Sequence, residues 1–126
     1  MATTVLDNAY FTSKFVYETD LQTEPLQNIT NGAATVRSIT ILNGSNTANS
    51  GQILYLKMYD SSEDVVATTT EADYMFQVDA VTDTTFTFGE GGLPVVNGLT
   101  IRLVTGAALN AETNPAGAVI AEITYS

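Results

Sequence analysis

From residue 33 onward, apolar side chains alternate with polar ones in short runs, each ended by glycine, asparagine or another turn residue. A period of two sends successive side chains to opposite faces of an extended chain, the pattern of strands with one buried face. In residues 34–43, Ile39 and Ile41 flank Thr40, and in residues 52–59, Leu54, Leu56 and Met58 oppose Tyr55, Lys57 and Tyr59. The same reading predicts strands over 74–78, over 84–88 with Phe86 and Phe88 inward, and over 98–105 with Leu99, Ile101 and Leu103 inward. A last strand is expected over 118–125, with Val119, Ala121, Ile123 and Tyr125 on one face. Helical periodicity is nearly absent.

Composition agrees with that period. The chain holds 20 threonines, 11 valines, seven isoleucines, six tyrosines and five phenylalanines, side chains that fit a pleated, half-buried surface better than a helix. At 126 residues one core is expected. The fold class predicted is all-β: a single-domain β-sandwich or jelly-roll-like pair of antiparallel sheets over residues 33–126. Residues 1–32 are richer in Thr, Asn and Gln and are broken by Pro25. They are read as an extended N-terminal arm with one edge strand near 13–18, to which Phe15, Val16 and Tyr17 contribute. The stretches 44–51, 61–73 and 106–117 read as surface loops. The last has room for one helical turn before Pro115 and Gly117.

The chain has no cysteine and no histidine, which removes thiolate and imidazole metal sites, Cys and His nucleophiles and the usual general base at neutral pH. Fourteen acidic residues against four basic ones give a formal charge of −10, which repels nucleic acid and anionic membranes. The opening MATTVLDNAYFTSKF lacks a basic n-region and a continuous apolar h-region, and no stretch approaches a membrane span. The protein is expected to stay where it is made or to be assembled there, with neither nucleic acid nor membrane as a partner.

Several features invite a chemical reading. The run GEGGLPVVNGL, residues 89–99, has the glycines of a phosphate loop, but Glu90 sits inside it, an extended LPVV follows it, and no cation comes before Arg102. A phosphate loop needs converging N–H groups, a following helix and a nearby cation, so this run reads as a strand connection tolerating positive φ. Asp60, Glu63, Asp64, Glu71 and Asp73 cluster carboxylates without the alternate-ligand spacing and central glycine of a calcium loop. A solvated acidic loop is the structural reading, and a weak Ca²⁺ site shared between subunits its alternative. Catalysis by paired carboxylates needs a fixed separation across a cleft, which no spacing here specifies. Asn28-Ile29-Thr30 and Asn43-Gly44-Ser45 match the glycosylation acceptor pattern, which matters only on a secretory route. Finally, Tyr55, Tyr59, Tyr74 and Tyr125 suit core packing, protein contacts or stacking on sugar rings.

The run ILYLKMYD (53–60), the run FTFGEGGLPVVNGLTIRLVTGA (86–107) and the closing GAVIAEITYS (117–126) together resemble a small β domain of tailed-bacteriophage virion proteins, found in head decoration proteins and in tail or fibre proteins. The positions that carry the likeness are Tyr55 to Tyr59, Asn97 to Leu99, Thr105 to Ala107, and Tyr125, and it spans about residues 34–126. The resemblance implies a virion structural role, with no enzymatic activity, no catalytic or metal-binding residues and no cofactor. It does not fix the place in the particle; a single domain without chemistry-competent residues and with an acidic surface favours a capsid decoration (cement) protein on the outer capsid surface, assembled in the host cytoplasm, with the major capsid protein as partner and a homo-oligomer, trimer before dimer, as the unit. A host-recognition module of a tail tip or fibre, binding surface carbohydrate, is the alternative. Tyr10, Phe11, Phe15, Tyr17, Tyr55 and Tyr59 are the expected protein-interface residues, with the arm gripping the capsid by strand addition or in a groove.

Overall fold

The alternation becomes nine strands in a computed structural model, which describes residues 3–7, 14–62, 65–67, 69–108, 111 and 113–126. In chain order they are β1 (Thr3–Asp7), β2 (Lys14–Glu18), β3 (Ala34–Leu42), β4 (Leu54–Asp60), β5 (Tyr74–Val78), β6 (Thr84–Thr87), β7 (Leu93–Val95), β8 (Leu99–Val104) and β9 (Ile120–Tyr125). The described residues contain one short 3-10 turn, Thr47–Asn49, and no helix long and apolar enough to cross a membrane.

All pairings are antiparallel and fall into two sheets. The larger runs β1-β2-β9-β3-β6, with β7 also on β3, and the smaller runs β5-β4-β8. The expected all-β sandwich is thus present. Among the described residues the two sheets hold six and three strands. The inner faces meet in one core: Val16, Val36, Ile39, Ile41, Ala121, Ile123 and Tyr125 from the large sheet pack with Leu54, Leu56, Met58, Val78, Leu99, Ile101 and Leu103 from the small one. Each fully buried Val, Leu, Ile or Met among them contributes roughly 1.5–3 kcal/mol by leaving water. The inward positions expected for β3, β4, β8 and β9 are buried, while Phe86 and Phe88 reach the core only partly buried.

Two irregularities shape the large sheet. Between Val36 and Ser38 the pairing of β3 with β9 shifts register, a bulge that lets Val36 and Ile39 both point inward although they are three apart. On the other edge of β3, β6 pairs with Ser38–Ile41 and β7 with Ala34–Val36. The glycine-rich run therefore loops out of one interrupted edge strand. Gly89 and Gly92 hold φ of 72° and 67°, and a Cβ on Gly92 would lie 2.4 Å from Thr35 Cγ2 and 2.9 Å from the Val36 carbonyl oxygen. Only glycine fits so close to β3. Arg37 pins this loop by donating from Nη1 to the Glu90 carbonyl (3.0 Å) and from Nε and Nη2 to Ser126 Oγ.

Residues 14–32 are more than an appendage. β2 lies between β1 and β9, and Val16 and Leu21 are fully buried in the common core. The chain then runs along the free edge of β8: Leu103 N–H donates to Gln22 O, Leu26 and Ile101 exchange both backbone bonds, and Ile29 N–H donates to Leu99 O. Pro25, which has no N–H to give, is tolerated on this edge. The boundary expected at residue 32 therefore does not separate an arm from a core. The 13–18 strand expected at an edge lies inside the sheet, with β1 at the edge beyond it, and residues 8–13 lie outside the described set.

The 44–51 stretch is also less superficial than expected. Asn43 and Asn49 are buried. Asn49 Nδ2 donates to Asn43 Oδ1 (2.9 Å), Gly117 N–H donates to Asn49 Oδ1 (2.7 Å), and Asn46 Nδ2 donates to the Ala118 carbonyl (2.6 Å). Short amides thus sew this loop to the segment entering β9 through the backbone of Gly117 and Ala118.

Candidate interaction surfaces

The smaller sheet is buried on its outer face as well. Along β4, Tyr55, Lys57 and Tyr59 oppose the core residues as their alternation predicts, yet Lys57 is 3% and Tyr59 1% exposed, and Arg102 of β8 is 0% exposed. Lys57 and Arg102 are register partners. Two of the four basic residues thus lie side by side under the chain that follows β8. Arg102 donates from Nε to Tyr59 Oη (2.9 Å) and from Nη1 to the Ala111 carbonyl (2.8 Å). Lys57 Nζ donates to the Ala108 carbonyl. Burial, and then the neighbouring Arg102 charge, hold the Lys57 ammonium below its ordinary pKa. Among the described residues no buried side-chain nitrogen or oxygen lacks a hydrogen-bond partner.

This settles the place of Tyr59. Expected at an interface, it is an internal residue, because its hydroxyl is drawn in as the acceptor for a buried guanidinium. Tyr59→Phe should lower stability by about 1 kcal/mol, the effect of leaving one buried donor without its acceptor. The shift of the urea midpoint at constant m-value measures it.

The other expected contact residues are dispersed. Phe15 and Tyr17 flank the buried Val16 and so point outward from the large sheet, both half-buried. Tyr55 is half-buried on the outer face of the small sheet, between Gln77 and Val104 in register. Tyr10 and Phe11 lie outside the described residues. Of the tyrosines considered for sugar stacking, Tyr125 is 4% exposed and its hydroxyl donates to Ile29 O (3.4 Å), while Tyr74 is 41% exposed. These rings form no common platform.

The outer face of the large sheet does form a continuous surface. Register places Phe15 beside Thr124, Tyr17 beside Glu122, Thr40 between Glu122 and Thr85, and Ser38 between Thr124 and Thr87. The Thr40 and Thr85 hydroxyls are 2.9 Å apart. Among these residues Glu122 is the single charge, standing amid hydroxyls and two aromatic rings in a chain of net charge −10.

The carboxylate-rich loop falls at the opposite corner. A polar cleft of about 340 Å³ opens where β4 ends, lined among others by Asp60, Ser61, Glu71, Asp73 and Asn97. Asp60 is committed there. Its oxygens accept the Val96 N–H (3.0 Å) and Asn97 N–H (2.8 Å), and its own N–H donates to Asp73 Oδ2 (2.7 Å). Burial raises the Asp60 pKa, but the N–H groups of Val96, Asn97 and Gly98 together outweigh it and hold the carboxyl below its ordinary value. Asp60 thus caps the turn into β8. Among the described residues no group of three or more acids has the geometry to hold a metal ion. Glu63 and Asp64 lie outside those residues.

Comparison with protein-family models, with curated proteins and with solved structures finds no match to this chain.

Proposed function

We propose that the chain is a binding protein of a bacteriophage particle: a capsid decoration protein that sits on the outer surface of the major capsid lattice and stabilises the head. The observation that carries this reading is the outer face of the large sheet, where Phe15 and Tyr17 lie among threonine and serine hydroxyls with one acid, Glu122, and one base, Arg37. A sheet face of hydroxyls and half-buried rings with few charges suits a protein partner, because it buries area at little cost in desolvated charge. The sequence resemblance over residues 34–126 points the same way.

In this role each copy contacts several capsid chains, and valency replaces strength per contact. A closed homo-oligomer, trimer before dimer, matches the threefold positions that capsid lattices provide. Counting this polypeptide against the major head protein in purified particles tests the proposal. Decoration requires on the order of hundreds of copies, since every lattice site is equivalent. About a dozen or fewer would sink it and favour a tail position.

The polar cleft beside Asp60 and Asn97 favours a second reading, a host-recognition module that binds surface carbohydrate through carboxylates, hydroxyls and an amide. Purified protein would then coat host cells, which a decoration protein does not do.

A further inference from the structure

The sandwich has two lateral openings, and the chain closes one of them. On the β8 side, residues 22–29 lie along the sheet edge and take up its backbone groups. On the other side the small sheet ends at β5 and the large one at β6, and no described segment pairs with the outer edge of β5. Here the described residues leave the rings that pack on the core only partly covered. Phe76 of β5 meets Phe86 with ring centroids 4.9 Å apart and Phe88 at 6.1 Å, and all three rings are only partly buried. Next to them Tyr74 is 41% and Met75 46% exposed.

β5 also lacks the devices that guard an exposed edge. Its sequence, Tyr-Met-Phe-Gln-Val, has no lysine and no proline, and its pairing with β4 is free of bulges. By contrast, β7 on the large sheet carries Pro94. Unguarded edges of this kind accept another strand.

Charge selects the occupant. Exposed Asp73 and Asp79 bracket β5, and Glu71 lies just beyond. The nearest base, Lys57, is opposite Met75 on β4 but is turned onto the Ala108 carbonyl. A second copy paired antiparallel about Phe76 would place Asp73 against Asp79 at both ends, and like charges directly opposite are destabilising. A strand with basic ends reverses that sign. We propose that β5 is a docking edge for an extended segment of another polypeptide, one with an uncharged alternating stretch of about five residues, the length of β5, and a lysine or arginine at each end. Its central apolar side chain covers Phe76, Phe86 and Phe88, and its backbone continues the small sheet by strand addition. The inference is independent of the proposed virion role.

The probe is a short synthetic peptide of alternating threonine and valine with two lysines at each end, labelled for fluorescence anisotropy and titrated with the whole chain. Binding should weaken as salt rises. A glutamate-ended version should bind at least about tenfold more weakly, and Asp79→Lys should weaken the lysine-ended peptide about threefold to fivefold. N-methylation of alternate peptide amides should abolish binding without any change to the protein, and amide shifts in NMR spectra should concentrate on Tyr74–Val78. No binding, equal binding of the two peptides, shifts centred away from β5, or a dimer of the chain with β5 at its interface would each overturn the proposal.

Discussion

Replacing Gly98 with alanine should destabilise the protein by about 3 kcal/mol, within the range for a side chain forced into a backbone region reserved for glycine plus a local clash. Gly98 has a φ of 140° at the entrance to β8. A Cβ there would lie 2.1 Å from Asn28 Oδ1 and 3.2 Å from the Ser61 carbonyl oxygen. The Asn28 amide has nowhere useful to move, because its Oδ1 accepts the Gly32 N–H (2.9 Å) and so holds the turn into β3. Gly98 O in turn accepts the Ser61 N–H (2.8 Å). The substitution therefore strains three connections at once: into β3, out of β4 and into β8. Chemical denaturation of the variant, with the m-value checked for constancy, measures the loss. A change under about 1 kcal/mol would show that this corner relaxes freely.

The second large effect lies at the same corner. Asp60→Ala should cost about 2 kcal/mol near neutral pH, the scale of charge-assisted hydrogen bonds from a carboxylate to backbone N–H groups. The variant should also change the acid limb of the stability profile. The folded-state pKa of Asp60 lies below its unfolded value, so its contribution is fully present above the ordinary carboxylate pKa, about 3.9, and is lost as pH falls through the lower folded value. Wild type and Asp60→Ala should thus differ most above about pH 4 and converge in stronger acid. Urea midpoints recorded across that range test the sign. Curves that stay parallel would mean that the carboxylate is not what holds residues 96–98.

Both residues were visible in the sequence without their roles. Gly98 read as part of a glycine-rich corner, which it is, but the close neighbour is Asn28, seventy positions earlier, and no local pattern encodes that meeting. Asp60 read as one member of a solvated acidic loop, since a cap looks like any other carboxylate until the turn it faces is known. The strands themselves were legible because burial on one face imposes a period of two, and residues 38–42, 54–60, 74–78, 84–87, 99–104 and 120–125 keep that period in side-chain type. The bulge between Val36 and Ser38 was hidden because it changes register and leaves composition untouched. Tyr59 looked like a surface ring for a related reason. Its hydroxyl accepts from Arg102, whose guanidinium is held in turn by the Ala111 carbonyl, and backbone acceptors leave no signature in side-chain type. Residues 22–29 were read as an arm because they join β8 through main-chain bonds with little alternation of their own.

The pairing of β2 with β9, from Lys14 opposite Tyr125 to Glu18 opposite Ala121, has a consequence for how the chain is made. A ribosome delivers β2 long before its inner neighbour exists, and the early hairpin with β1 is the kind of two-stranded unit that is barely stable in water. Long-range closures of this sort put most of the entropy loss ahead of the reward, so folding should be slow, on the millisecond to second scale of β-rich domains. Nascent chains stalled before residue 120 should leave β2 open to protease, and release of the last strand should close it in a single cooperative step.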